Sequence, residues 1–201
     1  MKGSTADRGA VCRRALIAGW ALVCTLAAAL PARAADDPWG ADAQWGAVRF
    51  GYAKSGAEFA GDGAVGWGFS YTRFLHAGVA WTAAVQHDLL GRYNSASEVE
   101  IPLTVEFTKH VAWSESARPY FGLGWGAFFH KTYRTGNDES GFRQGIFLAT
   151  GANGVIDKAS LIGLDVRLVI EQDTRSINAT FPDKGASGIV WSAKISYTRI
   201  L

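Results

Sequence analysis

The chain has 201 residues, with 20 Lys and Arg against 18 Asp and Glu, 24 glycines, 8 tryptophans, 11 phenylalanines and only 2 cysteines. Its positive surplus sits in residues 1–34, which hold five Lys or Arg and one Asp; the rest keeps fifteen basic and seventeen acidic residues, a net of −2 that excludes a nucleic-acid footprint. Both Cys12 and Cys24 lie in the same stretch, so beyond it a disulfide scaffold, a thiol enzyme and a Cys-ligated metal site are excluded.

The first element predicted is a secretory leader over 1–34. Lys2, Arg8, Arg13 and Arg14 form a basic head, residues 15–30 ("ALIAGWALVCTLAAAL") an apolar run, and "PARA" a small-residue cleavage site ending at Ala34. The run is short for a spanning helix, and Val23 before Cys24 argues against lipoprotein processing. A short polar lead, 35–43, follows.

From 44 to 201 the sequence alternates with period two, the signature of strands. After a weakly patterned segment at 44–53, Val65, Trp67, Phe69 and Tyr71 share one face against Gly66, Gly68, Ser70 and Thr72. Next, Val79, Trp81, Ala83 and Val85 oppose Ala80, Thr82, Ala84 and Gln86. The segment from Glu98 to Phe107 sets Val99, Ile101, Leu103 and Val105 against Glu100, Pro102, Thr104 and Glu106. Phe121, Leu123, Trp125 and Phe129 then oppose Gly122, Gly124, Gly126 and Phe128. A second vague segment, 142–152, precedes Ile162, Leu164, Val166, Leu168 and Ile170 against Gly163, Asp165, Arg167 and Glu171. Ile189, Trp191, Ala193, Ile195 and Tyr197 against Ser192, Lys194 and Ser196 complete eight. No segment beyond the leader has 18 consecutive apolar residues, so spanning helices are excluded there.

Eight strands of this length match a small membrane barrel. With the Trp-, Phe- and Ile-rich faces outward toward lipid, the lumen receives glycines, hydroxyls and a charge network of Arg49, Glu98, Glu100, Glu106, Asp165, Arg167, Glu171 and Lys194. Connections are read as long at 54–63, 89–97, 133–141 and 172–187, short at 76–78, middling at 153–159, and unexpectedly long for an inner turn at 110–118. Two near-identical stretches, "SYTRFL" at 70–75 and "SYTRIL" at 196–201, end descending strands. Each sets an aromatic two residues before a cation on one face: Tyr71 with Arg73, Tyr197 with Arg199, and, more loosely, Phe107 with Lys109. These read as an interfacial girdle on the inner rim.

The leader, the cysteine-free remainder and strands such as "RPYFGLGWGAFF" (118–129) and "SLIGLDVRLVIEQ" (160–172) resemble the small eight-stranded outer-membrane β-barrels, the group of the OmpA transmembrane domain, OmpX and Ail. The resemblance covers about 44–201 and implies an all-β, antiparallel, up-and-down barrel in the cell outer membrane, with both chain ends periplasmic. It implies lipid and lipopolysaccharide as surroundings and the barrel-assembly machinery as a partner in biogenesis; the loops 172–187 and 134–140 are the candidates for an external ligand, because connections on a rigid scaffold carry function. Such barrels usually end on an aromatic residue, where this sequence carries Leu201.

Catalysis is weakly supported. "GLGWG" (122–126) lacks the strand–turn–helix setting of a nucleotide loop, and His76, His87, His110 and His130 have no metal-ligand spacing. Lipid A deacylases of similar barrels carry a His-x-Ser-Asn signature, which follows none of these histidines. The expectation is therefore a non-catalytic structural or loop-binding protein, without cofactor or metal. A lipid A-modifying enzyme and a soluble lipocalin-like carrier with inverted faces are the alternatives.

Overall fold

The computed structural model describes residues 37–56, 61–93, 96–133, 138–173 and 189–201. The expected leader lies outside the described residues, as do most of the loop 172–187 and part of 134–140.

Eight strands run β1 Gln44–Ser55, β2 Ala64–His76, β3 Val79–Tyr93, β4 Ala96–His110, β5 Ala117–Tyr133, β6 Glu139–Asp157, β7 Ser160–Asp173 and β8 Ile189–Ile200. Each pairs antiparallel with its sequence neighbours, and β1 pairs with β8 from Trp45↔Ile200 to Ser55↔Val190, closing the sheet. Following partners once around, Leu161↔Thr198↔Ala47↔Ser70↔Ala84↔Thr104↔Gly126↔Gly145↔Glu171, returns to β7 ten residues higher. With strands about 4.8 Å apart and a rise of about 3.3 Å per residue, that stagger sets a strand tilt of about 40° and a radius of about 8 Å. An interior so narrow is filled by side chains.

The faces sort as alternation requires. Ile101, Leu103, Val105, Leu123, Trp125, Leu148, Leu164, Leu168 and Ile195 point outward and are exposed, while their strand neighbours point inward and are buried. The soluble-carrier alternative needs these apolar faces inward, and the structure has them outward. The inner surface is not uniformly polar, however. Leu90, Phe128, Phe147, Val169 and Val190 form an apolar cluster toward the rim opposite the chain ends. Trp45, Phe74, Leu161 and Ile200 form another at the rim that carries both ends, joined by Trp39 from the lead.

Large inward residues are accommodated by inward glycines on the adjacent strand. A Cβ on Gly124 would stand 2.2 Å from the Phe147 ring, and one on Gly66 would stand 2.0 Å from the Asp88 carboxylate. The inner wall is thus complementary in shape across strand pairs, which allows native packing density at this radius.

Two connections differ from their sequence reading. The stretch 89–97 is not a long loop: β3 runs through Tyr93 and β4 starts at Ala96, with two residues between. The register slips between Leu89 and Gly91, where Gly91 adopts φ 100°, so an extra residue breaks the alternation without ending the strand. The stretch 153–159 is likewise strand to Asp157 and a turn at Lys158 and Ala159, again with a register shift, between Val155 and Asp157. The connection between β4 and β5, residues 111–116, is long, as read.

Closure at the β1–β8 seam gives a direct test. A Cβ on Gly51 would meet the Ala193 carbonyl oxygen at 2.1 Å and Lys194 Cα at 2.6 Å, both backbone atoms that cannot rotate away. Gly51→Val is expected to destabilise the barrel by about 1–3 kcal/mol, as overpacking does, measured by urea unfolding in detergent micelles.

Candidate functional site

The centre of the barrel is an ionic layer built from β1, β4, β5 and β7. Arg167 Nε donates to Asp165 Oδ1 at 2.7 Å and Arg167 Nη2 to Glu106 Oε1 at 2.9 Å. Tyr120 donates its hydroxyl proton to Asp165 Oδ2 at 2.6 Å, and Arg49 completes the group at 3.4 Å from Asp165 and 3.6 Å from Glu106. Two guanidinium groups face two carboxylates, so the layer is neutral and its buried charges are all paired. The Arg167 guanidinium also stands 5.0 Å from the Phe147 ring centre, which joins this layer to the apolar cluster above it.

Lys194 from β8 reaches across to β3. Its ammonium group donates to both Asp88 carboxylate oxygens, at 2.6 and 2.9 Å, and to Gln86. Nearer the rim opposite the chain ends, Arg143 Nη1 donates to Glu171 Oε2 at 3.1 Å. His130 lies between two carboxylates, with Nε2 2.5 Å from Glu98 and Nδ1 3.8 Å from Glu100. All eight residues of the sequence-derived charge network face the interior. Asp88 and Arg143 join them and were missed: the alternation on β3 was followed only to Gln86, one step short of Asp88, and the register of β6 was too weak to orient Arg143.

Two cavities in this interior measure about 30 and 20 Å³. Each accommodates one or two water molecules, whereas a pocket for a drug-sized ligand needs about 300 Å³ or more. Among the described residues no group of His, Asp and Glu is arranged to hold a metal ion.

The six girdle residues occupy outward positions near the rim that carries the chain ends. Each cation there has a protein partner. Arg73 Nη2 donates to Asp42 at 2.9 Å, Lys109 Nζ to the Ala77 carbonyl at 3.4 Å, and Arg199 Nη1 to Ser160 Oγ at 2.9 Å. Tyr71 donates to Gln44 Oε1 at 2.8 Å, the Tyr197 hydroxyl lies 3.1 Å from Ser160 Oγ, and Phe107 is exposed. The two SYTR stretches flank β1, since Gly46 pairs with Tyr71 on one side and Arg199 on the other.

The lead 37–43, which the sequence left featureless, closes this rim. Trp39 is 1% exposed, edge-on to Trp45 with ring centres 6.3 Å apart, and covered by the Arg118 guanidinium at 4.5 Å. Backbone bonds fasten the segment: Gly78 donates to the Trp39 carbonyl, Asp42 to Phe74, and Phe74 back to Ala43. A lone Trp in "DDPWGAD" was the available signal.

No family model matches the sequence, and no curated protein does. Solved structures match by shape. The chain is similar to Neisserial surface protein A at a TM-score of 0.62 and 10% identity, covering 79% of this chain and 97% of that one. It is similar to the N-terminal β-barrel domain of Pseudomonas aeruginosa OprF at 0.57 and 10%, covering 81% and 99%. A third is Ail, the attachment invasion locus protein of Yersinia pestis, at 0.56 and 11%, covering 80% and 99%; that protein has also been solved with the heparin analogue sucrose octasulfate. The fold is that of the small outer-membrane β-barrels.

Lys194→Met would strand Asp88 as an unpaired buried carboxylate and is expected to cost about 3–5 kcal/mol of unfolding free energy, while adding Asp88→Leu recovers most of the loss. A double-mutant cycle on denaturant midpoints measures both.

Proposed function

We propose that this protein is an integral outer-membrane barrel, non-catalytic, that stabilises the envelope or binds an external ligand through the connections at the rim away from its chain ends. One observation carries the reading. Among the described residues, the outward face bears no Asp, Glu, Lys or Arg between the rim cations Arg73, Lys109 and Arg199 on one side and Lys54 and Lys131 on the other. On β4 the outward positions from Val99 to Phe107, all uncharged, rise roughly 20–25 Å at the barrel's strand tilt, the height of a lipid-facing band. Water would leave that surface exposed and costly; hydrocarbon removes the cost.

The filled interior supports a role outside the lumen rather than conduction or carriage, because its cavities are of water size. On this reading the leader directs export, the barrel-assembly machinery inserts the chain, and lipopolysaccharide surrounds its outer half. Ligand binding falls to 172–187 and 134–140, on the ground that connections on a rigid scaffold carry function. The Ail complex shows that a barrel of this shape binds a polyanionic sugar, which makes sulfated glycans a first class to screen.

Cell fractionation is expected to place the protein in the outer membrane, with a gel band that shifts on boiling; recovery in the detergent-free periplasmic fraction would sink the proposal. Leu148→Arg, in the middle of the outward face of β6, is expected to cost about 2–4 kcal/mol in bilayers if lipid covers that face. A change within about 0.5 kcal/mol, normal for a water-exposed surface, would count against it. Lipid A mass spectra with and without the gene are expected to be the same, and an altered acyl pattern would restore the enzyme alternative.

A further inference from the structure

The larger cavity lies between the central ionic layer and the aromatic cluster at the chain-end rim. Its lining is rich in hydroxyls, including Ser70, Thr72, Thr82 and Thr198, with Arg49 above and Trp45 and His110 below. Three buried polar atoms of this lining, Arg49 Nε, Ser70 Oγ and His110 Nδ1, have no protein partner. Buried polar groups of this kind are satisfied by ordered water where the space is polar and large enough, and about 30 Å³ suffices for one or two molecules. Below the cavity, Trp45 packs against His110 at 5.5 Å and Phe74 at 4.7 Å, and Trp39 packs beneath Trp45.

Trp39 differs from its neighbours in belonging to no strand. It is held by its burial against Trp45 and under the Arg118 guanidinium and by the short lead, whose attachments are the three backbone bonds already described, the Trp45 Nε1 bond to Pro38 O at 2.9 Å, and two rim ion pairs, Asp42 with Arg73 and Asp37 with Arg118. The Asp42–Arg73 pair is exposed on both sides and holds weakly in water, while Arg118 in the other pair is mostly covered. All of these contacts lie outside the strand ladders, which begin at Gln44↔Arg73 and Trp45↔Ile200, so releasing the lead exposes Trp39 and breaks its bonds to Phe74 and Gly78 but leaves the barrel closed.

We infer that the lower half of the barrel is a water-binding vestibule and that the lead 37–43 is its removable stopper. With Trp39 seated, the vestibule holds one or two ordered waters on Arg49, Ser70 and His110 and is closed to bulk solvent. With Trp39 withdrawn, Trp45 and His110, the floor of the cavity, lose the ring that backs them, and small polar solutes enter past them from the chain-end rim as far as the Arg167–Glu106–Asp165 layer. The inference concerns the folded barrel and does not depend on which side of a membrane that rim faces.

The test uses the absence of cysteine after Cys24. Ser70→Cys places one thiol in the vestibule, and Ser116→Cys places one on an exposed turn as the reference; the folded protein, identified by its unboiled gel band, is treated with methyl methanethiosulfonate, with the parent chain as background. Ser70→Cys is expected to label at least tenfold more slowly than Ser116→Cys, and Ser70→Cys with Trp39→Ala to label at least tenfold faster than Ser70→Cys alone. Rapid labelling with Trp39 present would show that the vestibule is not sealed. An unchanged slow rate without Trp39 would show that the lead is not the seal. Should Trp39→Ala fail to give the folded band, Asp37→Ala with Asp42→Ala loosens the lead while sparing every inward strand residue, and the same comparison decides.

Discussion

Pairing β1 with β8 is the constraint from which most of this molecule follows. It removes both sheet edges, satisfying the backbone groups of the whole wall without water, which hydrocarbon could not supply. It also fixes the radius: with eight strands and a stagger of ten, the interior has no freedom to widen around a bulky side chain. Glycine on one strand therefore stands opposite Phe147, Asp88 or Glu106 on the next. The same narrowness brings Arg167, Arg49, Glu106 and Asp165 close enough to neutralise one another. Charge pairing here is the condition for filling a polar interior, more than a source of net stability over an apolar one.

The strands were legible because alternation is a property of single residues, visible wherever one face is apolar and the other small or polar. Val99 to Phe107 and Ile162 to Ile170 are the clearest cases, and every charge read as luminal from them faces inward. Legibility failed where alternation and strand ceased to coincide. At Leu89–Gly91 an inserted residue shifts the phase, so a continuing strand looks like the start of a loop; the same occurs near Val155. The weak pattern of β6, with Gly141, Gly145 and Gly151 on its inner face, hid the direction of Arg143.

The chain-end rim was legible only in part, for another reason. A sequence pattern can place Arg73, Lys109 and Arg199 on the outward side, yet it does not show what else reaches that rim. The lead supplies Asp42 to Arg73, and the first residue of β7, Ser160, meets both Tyr197 and Arg199. The paired SYTR stretches thus mark two strands that bracket β1 at one boundary and are fastened by separate partners. Trp39 was beyond period-two reasoning altogether, because it sits in no strand and its burial comes from tertiary contact alone.

The strand lengths carry a consequence of their own. β5 and β6 have 17 and 19 residues, whereas β1 and β8 have 12 each. Among the described residues the sheet is therefore longest along β5 and β6 and shortest at the β1–β8 seam where it closes. Closure joins the two shortest strands to each other, so the flank across the barrel from the seam carries the larger share of the wall.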